Sequence, residues 1–419
     1  MKANTFITSE IGELEKIIIH SPGFEVEEMT PKTAEQVLYN DIIPLPVIAE
    51  DHYELKLILN EIARVYEIKD LFTDILKNNS IKEEFLSCVQ YFIPSIKDQM
   101  DELEDMKAED LANSVITGIK EKKNTLTKYL SKNIFVLPPL PNLYFMRDSA
   151  IVVNSKVITG SMANKVRLME AIMAKYIYKY HPEMKTEGFI FDGTMEGVEG
   201  SVTIEGGDLL VIKKNVLAIG ISERTTTTSI DIITDKIARD ITEPFYVFAV
   251  TLPKERSTIH LDMIFTMVDT DRCIIYRPYV LGKEALPVVK ISIFPDGTKK
   301  YEYVDNLIKG LHDIGIFLKP ILCGGNEPLH QEREQWLSGT NFFAFAPGKF
   351  IGYDCNIKTL EEISKAGYEI IHAKDIISKK RNVRDLKKCV IGIDGAELAR
   401  GGGGVRCMTM PVKRKEVSW

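Results

Sequence analysis

One pattern recurs from Asn133 to the last residue and limits the folds open to this chain. A short β-rich run leads through a turn into a second such run, and a helical stretch follows. Leu209–Ile212, Val216–Ile221 and the helical stretch after Arg224 make one unit of this kind. Phe342–Ala346, Phe350–Tyr353 and a helix from Leu360 make another. Further β-rich runs start at Ile134, Ile151 and Ile274. Strands alternating with helices belong to α/β folds. Repetition of one supersecondary unit predicts a pseudosymmetric array, although no repeat is visible residue for residue.

The N-terminal part reads differently. Residues 10–23 predict a buried strand ending at the Pro22-Gly23 turn. His20 stands at its end, where a satisfied core histidine is the plainer reading. Residues 32–67 carry a helical pattern and then a strand that begins at Arg64. Residues 71–133 have apolar side chains at helical spacing (Leu71, Phe72, Ile75 and Leu76, then Phe85, Leu86 and Val89), no glycine before Gly118, and Pro94 as their one proline. That predicts an all-helical insert with solvated charged faces. The chain is therefore expected to divide into 1–70, 71–133 and 134–419.

Composition removes several classes of function. A net charge of −7 argues against nucleic acid or an anionic membrane surface as the main partner. No run of about 18 apolar residues appears, so no membrane span is expected, and the first ten residues lack the apolar core of a secretory signal. The six cysteines are scattered, with no Cys-x-x-Cys pair. This suits a reducing cytoplasm and offers neither a zinc site nor a disulfide framework. No phosphate-binding glycine motif follows a strand, which leaves nucleotide binding little support.

Four stretches gather polar residues at turns or strand ends. Asn142-Leu-Tyr-Phe145-Met-Arg147-Asp148 follows the rigid Pro138-Pro-Leu-Pro141. Adjacent residues on a strand face opposite ways, so Arg147 and Asp148 need not pair; the plain alternative is a surface charge pair of little energetic worth. In Glu205-Gly206-Gly207-Asp208 two acids bracket a glycine turn, and turn chemistry alone accounts for Asp208 more readily than for Glu205. In His260-Leu261-Asp262, residues i and i+2 share a strand face and point into one site, unless the pair lies on the wet face of an edge strand. Metal binding there lacks further ligands nearby. In Arg400-Gly-Gly-Gly-Gly-Val-Arg406-Cys407, four glycines free a run of backbone for unusual φ and close approach. A thiol follows beside a cation that favours thiolate; the alternative is an inert, buried cysteine.

Together these stretches supply a thiol, an imidazole and several carboxylates. A guanidinium suits that inventory. Its forked N–H donors match carboxylates, its central carbon accepts a thiolate, and an imidazolium can protonate departing ammonia and then activate water.

In this combination the sequence resembles the arginine deiminases of the guanidine-modifying superfamily. The resemblance runs through Ser9-Glu-Ile-Gly-Glu-Leu-Glu-Lys16, Phe145-Met-Arg-Asp148, Glu205-Gly-Gly-Asp208, Ile219-Gly-Ile-Ser-Glu-Arg224-Thr, His260-Leu-Asp262, Arg333-Glu-Gln-Trp336, Ala346-Pro-Gly-Lys349 and Arg406-Cys-Met-Thr-Met-Pro411. The shared order makes the signal specific. It implies a five-part pseudosymmetric α/β propeller with a helical domain inserted after the first part. It implies hydrolysis of L-arginine to citrulline and ammonia with no cofactor or metal, and self-association. By resemblance Cys407 is the nucleophile, His260 the general acid and base, and Glu205 its orienting charge. Asp148 and Asp262 grip the guanidinium. Arg167 and Arg224 meet the α-carboxylate, and Asn142, Phe145 and Asp208 complete the pocket.

Three positions depart from the family pattern: Gly402, where an arginine is usual, Cys355, also an arginine position, and the box Cys323-Gly-Gly-Asn-Glu327. Loss of a charge-assisted contact to a carboxylate costs about 1.5–3 kcal/mol, about tenfold to a hundredfold in binding. Two alternatives therefore stand beside the deiminase. One is a related hydrolase that takes another guanidine or carries arginine on to ornithine; the other is a non-catalytic binding relative.

Overall fold

A computed structural model describes residues 3–30, 34, 39, 41–196 and 202–419. Five β-units in it share one connectivity. In each, two strands pair antiparallel, and a third, reached through a connection that contains a helix, pairs parallel with the second. Ala150–Val153 and Lys156–Thr159 form such a hairpin, and Phe189–Phe191 joins it after the helix Leu168–Tyr180. Leu209–Lys213 and Val216–Ile221 form the next, joined by Phe245–Thr251 after Thr227–Ala238. Phe265–Asp269 and Arg272–Ile275 are joined by Lys319–Leu322. Phe343–Ala346 and Lys349–Tyr353 are joined by Cys389–Ile393.

The remaining unit draws on both ends of the chain. Leu14–Ile19 pairs antiparallel with Met410–Arg414 and parallel with Arg64–Glu67. Residues 10–23 thus contain the expected strand, whose hairpin partner lies nearly the whole sequence away. Two sheets carry extra strands: Val288–Ile293 and Lys299–Val304 extend the second, and Glu369–His372 flanks the fourth.

Central strands are apolar on both faces because helices or neighbouring sheets cover them. Cys389–Ile393 is buried throughout, as is Val216–Gly220 within its strand. Across residues 68–117 the expected helices form: Ile68–Leu76, Asn79–Phe92, Met100–Asp105 and Ala108–Thr117. Asn78 caps the second by accepting from the Ser80 and Ile81 amides. Their apolar faces are not a separate core. Phe72 and Phe85 are fully buried, and Phe85 meets Tyr176 of the helix Leu168–Tyr180 edge-on at 5.5 Å. Nor is the segment wholly helical, since Ile119–Lys120 pairs with Phe135–Leu137 as a small ribbon. Among the described residues no helix is long and apolar enough to cross a membrane.

Candidate active site

The fold brings the polar stretches together through one device. The first strand of each unit is entered from a tight segment that carries polar side chains. The 3₁₀ turn Met146–Asp148 precedes Ala150–Val153, Gly206–Asp208 precedes Leu209–Lys213, and Leu261–Met263 precedes Phe265–Asp269. Asn341 stands just before Phe343–Ala346, and Cys407 just before Met410–Arg414. The turn at Gly206–Asp208 packs against both other 3₁₀ turns.

Glycine makes that packing possible. A Cβ on Gly206 would lie 2.0 Å from the Arg147 carbonyl oxygen, and one on Gly207 would lie 2.4 Å from His260 Nδ1. His260 and Asp262 do not sit on one strand face as expected. His260 is an extended residue entering a turn, and Asp262 lies inside that turn.

His260 is 2% exposed and Glu205 fully buried. The imidazole Nε2 lies 3.0 Å from Glu205 Oε2, and Nδ1 lies 3.7 Å from Asp148 Oδ1. Burial pushes the imidazole pKa down, but the Asp148 charge and the Glu205 hydrogen bond prevail and raise it to about 9. Burial likewise pushes Glu205 up, yet the His260 bond and the Arg224 charge hold it at about 2. At neutral pH this is an imidazolium against a carboxylate. Asp148, Glu205 and His260 offer ligand atoms within 4.8 Å of one another. Two cations, Arg167 and Arg224, flank Glu205 at 4.0 and 3.5 Å and oppose a further positive charge there.

The sulfur's surroundings outweigh the adjacent cation, which by itself favours the thiolate. Arg406 is adjacent in sequence, but its guanidinium turns inward. It donates to both Glu10 oxygens at 3.1 Å, to Asp262 Oδ2 at 2.8 Å and to the Leu209 carbonyl at 2.8 Å. Cys407 Sγ instead lies 3.7 Å from Asp262 Oδ2. Burial pushes the thiol well above its ordinary range, and the Asp262 and Asp148 charges push the same way. Without a ligand the group is therefore a thiol. The Asn341 side-chain oxygen accepts from the Cys407 amide at 3.1 Å and fixes the loop.

The glycine run needs an unusual φ at Gly402 alone, +91°. The other three are needed for close approach: Gly401 packs on Tyr144, Gly403 on Phe145 and Gly404 on Asn341.

A cavity of about 310 Å³ opens above these groups. Asn142, Phe145, Asp148, Arg167, Glu205, Arg224, His260 and Cys407 all line it. Asp148 Oδ1 and Asp262 Oδ1 are buried without a hydrogen-bond partner, a costly state that a donor from a ligand would relieve.

Three side chains differ from the sequence expectation, the first being Asp262, which is fully buried, absent from the cavity wall and bonded to Arg406. Arg167 has its donors taken up by Asp148 at 2.6 Å, by Glu170 at 2.7–3.1 Å and by the Phe145 carbonyl at 3.2 Å. It braces Asp148 and has little left for a carboxylate. Asp208 accepts from Ser222 Oγ at 2.6 Å and from the Leu261 amide at 3.0 Å, and burial raises it to about 7. It pins the His260 turn and stays outside the cavity wall. Cys323 and Cys355 are likewise absent from that wall. Glu10, Glu170 and Asn341 were not singled out in the sequence: Glu10 and Asn341 gain their roles from partners far along the chain, and Glu170 from Arg167 three residues before it.

The overall fold is shared with enzymes of known structure. One is an amidinotransferase from Microseira wollei in the saxitoxin biosynthetic pathway, with TM-score 0.52, 11% identity and 99% of this chain against 98% of that one. Another is the N-terminal domain of an arginine dihydrolase from the ornithine-ammonia cycle in cyanobacteria, with TM-score 0.52, 14% identity and 95% against 97%. At such identities the likeness defines a mixed α/β fold class.

Sequence narrows the class. The family model for arginine deiminase matches residues 35–414. The chain is 30% identical to an arginine deiminase of Bacillus cereus over 100% of both chains, and 30% identical to one of Borreliella afzelii over 98% of both. It belongs to the arginine deiminase family.

Proposed function

We propose that the chain hydrolyses the guanidinium of L-arginine to L-citrulline and ammonia through a covalent intermediate on Cys407. The observation that carries this reading is the convergence on one cavity of Cys407, His260 and Asp148, with Asp262 against the sulfur and two buried carboxylate oxygens unpartnered. A guanidinium supplies the missing donors in a planar fork. Arginine is also the substrate named by the family and by its curated relatives.

The steps follow from the geometry. A cation held by Asp148 and Asp262 offsets two of the influences that, with burial, keep the Cys407 thiol protonated, so binding favours loss of the thiol proton to solvent through the open cavity and leaves the thiolate. The sulfur attacks the central carbon and an S–C bond forms. The imidazolium of His260 gives a proton to the departing nitrogen and ammonia leaves, which produces an S-alkylthiouronium. Neutral His260 then takes a proton from water, whose oxygen attacks the same carbon. The S–C bond breaks, and citrulline and the Cys407 sulfur are released. Glu205 holds the imidazole in line and stabilises its charged form. Arg167 braces Asp148, and Arg224 flanks Glu205 at 3.5 Å.

We also read the five equivalent units as a five-part propeller about this site, with residues 71–133 as its inserted domain. Five repeated connectivities, one of them closed by the chain's two ends, support that arrangement. The scattered, unpaired cysteines favour a cytoplasmic setting.

Incubation of purified protein with millimolar L-arginine, with assays for citrulline, ornithine and ammonia, tests the activity. Equal citrulline and ammonia without ornithine are expected. Ornithine as the end product, or no citrulline, rejects the assignment.

A further inference from the structure

We propose that Lys254 is the specificity-determining residue for the substrate's carboxylate, in a cavity that Gly402 lines without a side chain. The inference rests on the guanidine-hydrolase reading above. The cavity is graded in charge. Its floor holds the buried acids Asp148 and Glu205 beside Cys407, whereas its outer wall carries three cations, Arg224, Lys254 and Arg256, against one exposed acid, Glu223. A ligand cationic at one end and anionic at the other fits that gradient in a single orientation, with its cation against the floor.

The cations are not equivalent. Arg167 spends its donors on Asp148, Glu170 and backbone carbonyls. Arg224 lies 3.5 Å from Glu205 and is drawn toward the floor. Gly402 lines the cavity, and a Cβ built on it would meet nothing within 4 Å, so that part of the mouth is open. Lys254 lines the same cavity with its ammonium unpaired among the described residues.

Its backbone is held in place. The Leu252 amide donates to the Ile221 carbonyl at 2.8 Å, and Thr258 Oγ1 donates to the Pro253 carbonyl at 3.1 Å. The same segment leads directly into His260, so the chain that positions the acid also positions this cation. Arg256, whose guanidinium feels the Arg224 charge, adds to the positive field. A flexible point charge on a held backbone suits a carboxylate at the mouth.

Steady-state kinetics on Lys254→Ala and Lys254→Glu, with L-arginine as substrate and agmatine (arginine without its carboxylate) as competitive inhibitor, tests the proposal. Lys254→Ala is expected to raise KM for L-arginine about tenfold to a hundredfold, the worth of one charge-assisted contact. It should leave kcat and the agmatine inhibition constant near wild type, and Lys254→Glu should raise KM further. An unchanged KM for L-arginine, or an equal loss for both ligands, overturns the carboxylate role. If the wild-type chain turns over no L-arginine, the activity reading falls and takes this inference with it.

Discussion

Arg406 and Cys407 adjoin in sequence and share one partner, Asp262 Oδ2, which lies 2.8 Å from the guanidinium and 3.7 Å from the sulfur. Arg406 is 1% exposed and is shared between Glu10 and Asp262. A buried arginine of this kind is stable only while both partners are charged. Glu10 is pushed up by burial but held at about 2 by Arg406 and Arg147. Its folded pKa is depressed below the ordinary 4.5, so its stabilisation is present above that pH and is lost as pH falls toward 2. Glu10→Gln should therefore cost about 3–5 kcal/mol in urea unfolding at pH 7, the cost of breaking one buried pair. The gap from wild type should close on acidification below pH 4.5. A gap independent of pH would mean that packing, not charge, is lost. The Arg406-Cys407 dipeptide gave the direction of one influence on the thiol but not its rank, since burial, Asp262 and Asp148 outweigh Arg406, and Arg406 is itself held by an acid 396 positions away.

At the scale of elements, the 3₁₀ turns bring site residues from three different units into contact. The sequence marks them clearly through glycine, but their strand-like i, i+2 spacing at His260 and Asp262 misleads, because a tight turn and a strand end look alike over three residues. The strand geometry expected at His260 and Asp262 did not form. Gly207 shows what the turn requires, since an added Cβ meets the imidazole ring. Gly207→Ala should displace His260 and lower kcat by about a hundredfold, the usual consequence of misplacing a catalytic group by about 1 Å. The melting temperature should change far less than kcat. A variant with wild-type kcat would show that the ring position is not fixed by this turn.

For the whole molecule, the strand–turn–strand–helix repeat was legible from Leu209–Ile212 and Phe342–Ala346 alone, because buried parallel strands read as continuous apolar runs. The unit closed by both chain ends was not, since no local pattern links Ile17 to its partner Pro411. The helices after Ile68 were equally plain, but their shared core with the helix Leu168–Tyr180 was hidden, because helical periodicity reveals which face is buried and not what covers it.

The account stands or falls on where the guanidinium carbon is held during turnover. Rapid quenching of the chain with L-arginine, followed by peptide mass spectrometry, tests that most directly. An adduct with the mass of arginine less ammonia is predicted on Cys407, absent from Cys407→Ser, which should fold normally and release no citrulline. Full turnover by Cys407→Ser, or an adduct on any other cysteine, would contradict it.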